Sequence, residues 1–285
     1  MKTKTFVLFL LTAVAFWMCD SKKTRDTAGE KKGSESQELK FKTKTVSDSA
    51  HHWWARKFAD INSDGLADIV LQDDNGHGGW LGWLETGNDT SSWNLHIIAD
   101  TLQLNGTFAS GDMEAADIDN DGDTDIFGFV HGGEWESGDP TKIYWFSNPE
   151  WEATYIGQAP SFIKDIETTD FNADGKIDFV VITYSENSLQ VFCQDEQQGW
   201  KHAVDTVLEN LHEGMSVGDI DGDGFPDIAT NGYWVKSPGE DITGDWRIQV
   251  IHKKWFNQDG DWSKNATKNF CADIDNDGKV EVFIS

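Results

Sequence analysis

Five short apolar runs, rich in Val, Ile and Phe, lie at regular intervals along the chain. Their sequences are DIVLQ, DIFGFV, DFVVIT, DIATNG and EVFIS, and each follows a polar segment that contains glycine. Runs of this length bounded by turn residues predict buried β-strands. Beyond the N-terminal segment, no stretch sustains the period of an α-helix over several turns. The pattern therefore predicts an all-β fold.

Tryptophan-rich segments follow the first four apolar runs, and each segment predicts two more strands joined by a turn. The segments are GWLGWLETGNDTSSWNLHIIAD, KIYWFSNPEWEATYIG, SLQVFCQDEQQGWKHAVD and GYWVKSPGEDITGDWRIQVIH. Gly, Pro, Asn and Asp in their middle are the residues that β-hairpin turns use. With one strand on each side of the preceding polar segment, each repeat contains four strands, which predicts the blade of a β-propeller. The expected repeats span residues 54–100, 110–157, 163–205, 212–252 and 266–285.

The polar segment of each repeat is one short acidic loop, present in five copies. The copies are DINSDGLAD, DIDNDGDTD, DFNADGKID, DIDGDGFPD and DIDNDGKVE. Their first residues, Asp60, Asp117, Asp170, Asp219 and Asp273, are 57, 53, 49 and 54 residues apart. Oxygen side chains occupy positions 1, 3, 5 and 9, and glycine occupies position 6. This regular spacing indicates a repeat architecture.

The chemistry of the loops favours a hard cation. Calcium takes six to eight oxygen ligands, and alternate residues of a tight loop can direct their carboxylates to one point. Glycine at position 6 permits the sharp turn. Position 7 would contribute its main-chain carbonyl, and Glu281 at position 9 of the last copy has a longer side chain that still reaches. The sequence predicts up to five structural Ca²⁺ ions with these ligands: Asp60, Asn62, Asp64, Leu66 and Asp68; Asp117, Asp119, Asp121, Asp123 and Asp125; Asp170, Asn172, Asp174, Lys176 and Asp178; Asp219, Asp221, Asp223, Phe225 and Asp227; Asp273, Asp275, Asp277, Lys279 and Glu281.

Two other interpretations of the loops are less favourable. Solvated acidic turns would explain one copy, because Asp, Asn and Gly are ordinary turn residues, but they do not explain five copies in fixed register. An EF-hand needs a bidentate Glu at position 12 and flanking helices. Position 12 is instead occupied by Leu71, Gly128, Val181, Thr230 and Ile284.

The loop followed by a strand, recurring at this interval, resembles the FG-GAP or VCBS-like repeat, the calcium-binding blade of integrin alpha-subunit propellers and many bacterial surface proteins. The FG-GAP dipeptides themselves are absent, so the resemblance depends on the loop and its period. It covers residues 39–285 and implies a propeller of four-stranded blades. The fifth repeat lacks its later hairpin, and proteins of this type often have about seven blades. The resemblance therefore implies a truncated propeller or part of a larger ring.

The N-terminus predicts export. Lys2 and Lys4 precede an apolar run at residues 6–18, which is short for a membrane span and suits a signal peptide. Cys19 follows directly, as in a bacterial lipoprotein signal, so residues 1–19 are expected to be a signal peptide with Cys19 as the lipidation site. Residues 20–38 are polar and predict a flexible tether. The expected location is a membrane-anchored lipoprotein at the cell surface or in the periplasm, with plain secretion or an uncleaved anchor as alternatives.

The charge of the chain limits its partners. The formal net charge is −27, which disfavours nucleic acid because phosphates need basic partners. Polysaccharide and protein ligands remain. Seven tryptophans recur at equivalent blade positions and are expected to pack between blades: Trp83, Trp93, Trp145, Trp151, Trp200, Trp234 and Trp246. Those in less regular segments are candidates for a binding surface: Trp53, Trp54, Trp80, Trp135, Trp255 and Trp262.

Catalytic motifs of the nucleophile, P-loop and HExxH types are absent. Some propellers that resemble this chain are polysaccharide lyases, whose chemistry needs a base and a cationic group. The isolated candidates for those roles are His77, His131, His212, Arg56 and Arg247. The favoured function is a non-catalytic binding or adhesion module for polysaccharide or protein. A polysaccharide lyase, or another glycan-degrading enzyme on a propeller scaffold, is the alternative.

Overall fold

The computed structural model describes residues 43, 45–46, 55–73, 79–87, 92–100, 104–133, 137–184, 186–195, 199–209, 211, 213–256 and 267–285. Within these ranges the chain forms nineteen β-strands and one short 3-10 helix, Lys253–Trp255. No helix of the described ranges is long and apolar enough to cross a membrane. The expected signal peptide, the lipidation site Cys19 and the tether at 20–38 all lie outside the described residues. Every strand belongs to the compact unit Thr45–Ser285.

The strands form five antiparallel sheets in chain order. The first sheet contains β1 (Arg56–Ala59), β2 (Asp68–Asp73), β3 (Trp80–Thr86) and β4 (Trp93–Asp100). The second contains β5 (Thr107–Phe108), β6 (Ala115–Ala116), β7 (Asp125–His131), β8 (Thr141–Ser147) and β9 (Glu152–Ala159). The third contains β10 (Ile163–Thr169), β11 (Asp178–Thr183), β12 (Ser188–Gln194) and β13 (Trp200–Val207). The fourth contains β14 (Met215–Gly218), β15 (Asp227–Thr230), β16 (Tyr233–Lys236) and β17 (Arg247–Val250). The fifth contains β18 (Asn269–Ala272) and β19 (Glu281–Ile284).

Consecutive strands are neighbours in the first, third, fourth and fifth sheets, as in the blades of a propeller. The second sheet departs from the simple order, because β5 and β6 both pair with β7 and together take the place of one first strand. The fifth sheet consists of the first two strands of a repeat, with Phe270 opposite Phe283. The structure confirms an all-β fold of four-stranded propeller blades.

Burial follows the position of a strand within its sheet. The second strands, β2, β7, β11 and β15, are buried at every residue. The fourth strands are the most exposed, and β17 is exposed along its whole length. Apolar runs without polar alternation are typical of strands covered on both faces, which explains why these runs dominate the sequence pattern. A blade packed between two others covers its second strand in this way.

Aromatic side chains fill the space between neighbouring sheets. Phe127 on β7 lies 4.9 Å from Phe179 on β11, measured between ring centroids, and Trp200 on β13 lies 5.1 Å from Phe179. Between the third and fourth sheets, Trp246 packs edge-on against Phe171 at 5.4 Å. Such pairs add about 0.5–1.5 kcal/mol beyond the burial of their area. Trp200 and Trp246, two of the seven regularly placed tryptophans, therefore join one blade to the next, whereas Trp93 packs within its own sheet.

Candidate metal centres

Each acidic loop joins the first strand of a sheet to its second strand, so all five loops have the same place in their repeats. They connect β1 to β2, β6 to β7, β10 to β11, β14 to β15 and β18 to β19. The loop begins where the pairing of the first strand ends, and position 9 is the first residue of the second strand. This arrangement ties the geometry of the loop to the edge of a buried strand.

The backbone of every loop is left-handed at positions 4 and 6. At position 4, φ is 58° for Ser63, 61° for Asn120, 59° for Ala173, 76° for Gly222 and 60° for Asn276. At position 6, φ lies between 84° and 100° and the residue is always glycine. A Cβ placed on any of the five position-6 glycines would meet nothing within 4 Å. Glycine is therefore required at position 6 by the backbone conformation, and not by a lack of space for a side chain.

The carboxylate at position 1 organises the turn. Its Oδ1 accepts a hydrogen bond from the position-5 N–H at 3.0–3.1 Å in all five loops. Its Oδ2 accepts from the position-6 N–H at 2.8–3.1 Å. The carboxylate at position 5 accepts from the position-7 N–H at 2.8–3.1 Å. These bonds fix the orientation of the position-1 and position-5 carboxylates within the loop.

The carboxylate at position 9 links the loop to the rest of the sheet. Asp68, Asp125, Asp178 and Asp227 are fully buried. In each, one oxygen accepts from the position-2 N–H at 3.1–3.3 Å. The other oxygen accepts at 2.8–2.9 Å from an N–H at the end of the third strand. The donors of that second bond are Thr86, Asn148, Gln194 and Ser237.

Burial makes these carboxylates hard to ionise. Loss of hydration raises the pKa of Asp125 to about 6 and that of Asp178 to about 7, against the two stabilising N–H bonds. Loss of hydration also raises the pKa of Asp68 and of Asp227. A nearby cation would favour the charged form and offset this cost. In the fifth loop Glu281 replaces aspartate, and its Oε2 accepts from the Ile274 N–H at 2.9 Å.

Carboxylates from positions 1, 3 and 9 converge in three loops. One oxygen from each lies within 4.8 Å of the others in the second, fourth and fifth loops: Asp117, Asp119 and Asp125; Asp219, Asp221 and Asp227; Asp273, Asp275 and Glu281. The first and third loops carry an amide at position 3, Asn62 and Asn172, with the same backbone geometry. Every side-chain donor is an oxygen, which fits Ca²⁺ and not a soft metal. The position-5 carboxylates lie outside these convergent groups.

Side chains of the third strand also reach the loops, and the sequence pattern did not identify them. Lys236 on β16 pairs with Asp221 and lies 2.6 Å, Nζ to Oδ2, from Asp223. Glu85 on β3 accepts a hydrogen bond from the Asn62 amide at 3.3 Å. Both residues directly precede the N–H donor to position 9. The sequence signal that could have identified them is their position one residue before that donor.

Hydrogen bonds also join the first three loops to residues of a neighbouring repeat. The Asn148 amide, beyond β8, donates to the carbonyl of Ile61 in the first loop at 2.8 Å. The Gln194 amide, at the end of β12, donates to the carbonyl of Ile118 in the second loop at 3.2 Å. The Asn120 amide donates to the carbonyl of Gly175 in the third loop at 3.2 Å. The loops are therefore joined across the sheet boundaries.

A second group of carboxylates lies on the first strands and the segment between β5 and β6. Loss of hydration raises the pKa of Asp165 to about 7 and that of Glu167 to about 8. Burial also raises the pKa of Asp112 and of Glu114. Lys57 on β1 pairs with Glu114, and the Gly214 N–H donates to Asp165 at 2.8 Å.

The residues considered for catalysis do not form a site among the described residues. His131 is buried, with Nδ1 2.9 Å from Thr141 Oγ1 and its ring edge-on to Phe162. Arg56 and Arg247 lie on exposed positions of different sheets. His77, His212, Trp53, Trp54, Trp135 and Trp262 lie outside the described residues. Of the remaining candidate binding tryptophans, Trp80 packs on Leu71 and Leu84, and Trp255 lies under the Lys254 ammonium.

One part of the chain matches the model of a known family. Residues 170–230 match the FG-GAP-like repeat family. The match begins at the first residue of the third loop, contains the fourth loop and ends with β15. This region is therefore similar to an FG-GAP-like repeat. A search of curated proteins found no significant match to the chain.

Proposed function

We propose that this chain is a calcium-stabilised β-propeller that works outside the cytoplasm as a non-catalytic binding or adhesion module. Its ligand is a polysaccharide or a protein, and an N-terminal lipid on Cys19 attaches it to a membrane. In this proposal the loops stabilise the blades, and the blade surfaces bind the ligand.

The observation that carries the proposal is the buried carboxylate at position 9. In four sheets this carboxylate is buried beside one or two further loop carboxylates. In the second and fourth sheets, one oxygen from each carboxylate at positions 1, 3 and 9 lies within 4.8 Å of the others. Several like charges at that separation repel unless a cation or a proton neutralises them. The positions that would hold the ion are 1, 3 and 9, with position 5 and the position-7 carbonyl available to complete the shell. Bound calcium would supply the positive charge that lets these carboxylates remain ionised.

Calcium content and thermal stability test the structural role. Protein prepared without chelators should contain several Ca²⁺ ions by elemental analysis, and chelation should lower its melting temperature. Binding to the native state alone stabilises it by about 2.7 kcal/mol per site at a hundredfold excess over Kd. Asp219→Ala should weaken this response more than Asp123→Ala, because Asp219 organises the fourth turn and Asp123 lies outside the convergent groups. An unchanged melt in chelator would contradict the proposal.

The recognition role needs a separate test. The purified chain should bind a member of a glycan array or a surface protein, while its incubation with uronic-acid glycans should give no rise in ultraviolet absorbance from unsaturated products. The burial of His131 against Thr141 and Phe162 supports this expectation, because a general base must reach its substrate. A rise in absorbance would favour the lyase alternative.

A further inference from the structure

One position of the third strand contacts the acidic loop in the first and fourth sheets, where Glu85 binds Asn62 and Lys236 binds Asp221. It directly precedes the residue whose N–H donates to the position-9 carboxylate. The four residues at this position are Glu85, Ser147, Cys193 and Lys236. Its charge therefore differs among loops whose backbones are alike: negative in the first, neutral in the second and third, and positive in the fourth.

The Lys236 ammonium contacts carboxylates that a cation bound in the fourth loop would also need as ligands. Its ammonium pairs with Asp221 at position 3 and lies 2.6 Å from Asp223 at position 5. Asp221 also belongs to the group of carboxylates that converges with Asp219 and Asp227. The Lys236 side chain is 17% exposed, so it is packed along the strand and not free in solvent.

The hydrogen bonds of the fourth loop reflect this contact. In the other four loops the position-3 oxygen accepts from the position-5 N–H at 3.1–3.3 Å. In the fourth loop the Asp223 N–H donates to Asp219 at 3.0 Å, and the Asp221 carboxylate faces Lys236. The position-3 carboxylate of this loop thus pairs with the ammonium through Oδ2, whereas its counterparts in the other loops accept from the turn through Oδ1.

The second loop provides an internal comparison. It carries aspartate at positions 1, 3, 5 and 9, as the fourth loop does. The strand position that precedes the N–H donor holds Ser147 in the second sheet and Lys236 in the fourth. The loops also differ at positions 4, 7 and 8, so the effect of Lys236 is measured by substituting it within the fourth loop itself.

We propose that the Lys236 ammonium is a fixed counter-ion of the fourth loop. It lowers the affinity of this loop for calcium below that of the second loop, and it keeps the fourth loop folded when calcium is scarce. The inference rests on the proposed binding of calcium by the loops. An ammonium and a divalent ion that share carboxylates repel each other within a few ångströms, and a divalent ion must displace the ammonium to bind. We expect about a tenfold difference in dissociation constant. As free calcium falls, the fourth loop releases its ion before the second.

Equilibrium dialysis of the whole chain against buffers of defined free Ca²⁺, with elemental analysis of the retained ions, tests the proposal. Lys236→Ser, which copies the second sheet, should move one ion to a free Ca²⁺ concentration about tenfold lower. Lys253→Ser is the control with the same change of charge, because Lys253 is exposed in the 3-10 helix and belongs to none of the five loops. Its binding curve should coincide with that of the unmodified chain.

Thermal melts of the same variants give a second measurement. Lys236→Ser should lower the melting temperature in chelator, where Asp221 and Asp223 lose their counter-ion, and much less in saturating calcium. Equal binding curves and equal melts for Lys236→Ser and the unmodified chain would overturn the proposal. If the unmodified chain binds several ions and Lys236→Ser shifts none of them, the proposed function stands and the role of Lys236 fails. If neither binds calcium, both fail.

Discussion

Replacement of Glu167 by Gln should stabilise the protein at alkaline pH and leave its stability unchanged in acid. Glu167 lies on β10 near the carboxylates of Asp165, Glu114 and Asp112, and loss of hydration followed by their repulsion raises its pKa from 4.5 to about 8. The unfolded chain releases this proton near pH 4.5, whereas the folded chain keeps it until about pH 8. Between these values the folded state binds more protons, so the free energy of unfolding falls as pH rises. Glutamine carries no charge and avoids this loss.

The size of the effect follows from the shift. One pKa unit corresponds to about 1.4 kcal/mol, so the shift of Glu167 sets an upper limit of about 5 kcal/mol. Asp165 titrates in the same range and contributes to the repulsion. Part of the shift therefore belongs to the pair, and we expect a gain of about 2 kcal/mol at pH 8.5. For a chain of this size that gain corresponds to about 4–8 °C in melting temperature.

Thermal melts at half-unit steps from pH 4 to pH 9, at a fixed saturating free calcium concentration, measure the difference between variant and unmodified protein. Comparison at equal calcium removes the contribution of the loops. Glu152→Gln, at an exposed position of β9, is the control and should leave the melting temperature within about 1 °C at every pH. A gain for Glu167→Gln that is already present at pH 4, or absent at pH 8.5, would refute the assigned cause.

Three further changes probe other parts of the structure. Phe179→Ala should cost about 3–5 kcal/mol in denaturant unfolding, because its ring is fully buried among aromatic rings of two sheets; a loss below 1 kcal/mol would contradict that packing. Gly224→Ala should lower stability by about 1–2 kcal/mol through its φ of 94° alone, and an unchanged melt would show that the turn adapts. Burial raises the pKa of the Cys193 thiol well above its ordinary range, so iodoacetamide at pH 8 should label Cys193 only after unfolding; rapid labelling of the native protein, read by mass spectrometry, would argue against this burial.

The sequence predicted the features that repeat and missed those that differ between repeats. Strands, hairpins and loops follow from local periodicity and turn residues, because each copy makes the same local contacts. The division of one first strand into β5 and β6 has no periodic signal and was not foreseen. The carboxylate group of Asp165 and Glu167 with Glu114 was also missed, because residues of separate repeats meet only in the folded chain. Lys236 belongs to a strand that is regular in every other respect, and its role depends on which loop it faces.

The amide of Gln194 holds the loop of the preceding sheet, and that of Asn148 does the same one sheet earlier. A single repeat cut from this chain would therefore carry an acidic loop without the side-chain amide that the next sheet donates to it. Grafting experiments should move two adjacent repeats at a time, so that the second supplies the side-chain amide that binds the loop of the first. Evolution by duplication faces the same condition, since a new copy gains a finished site only when it is inserted beside an existing one.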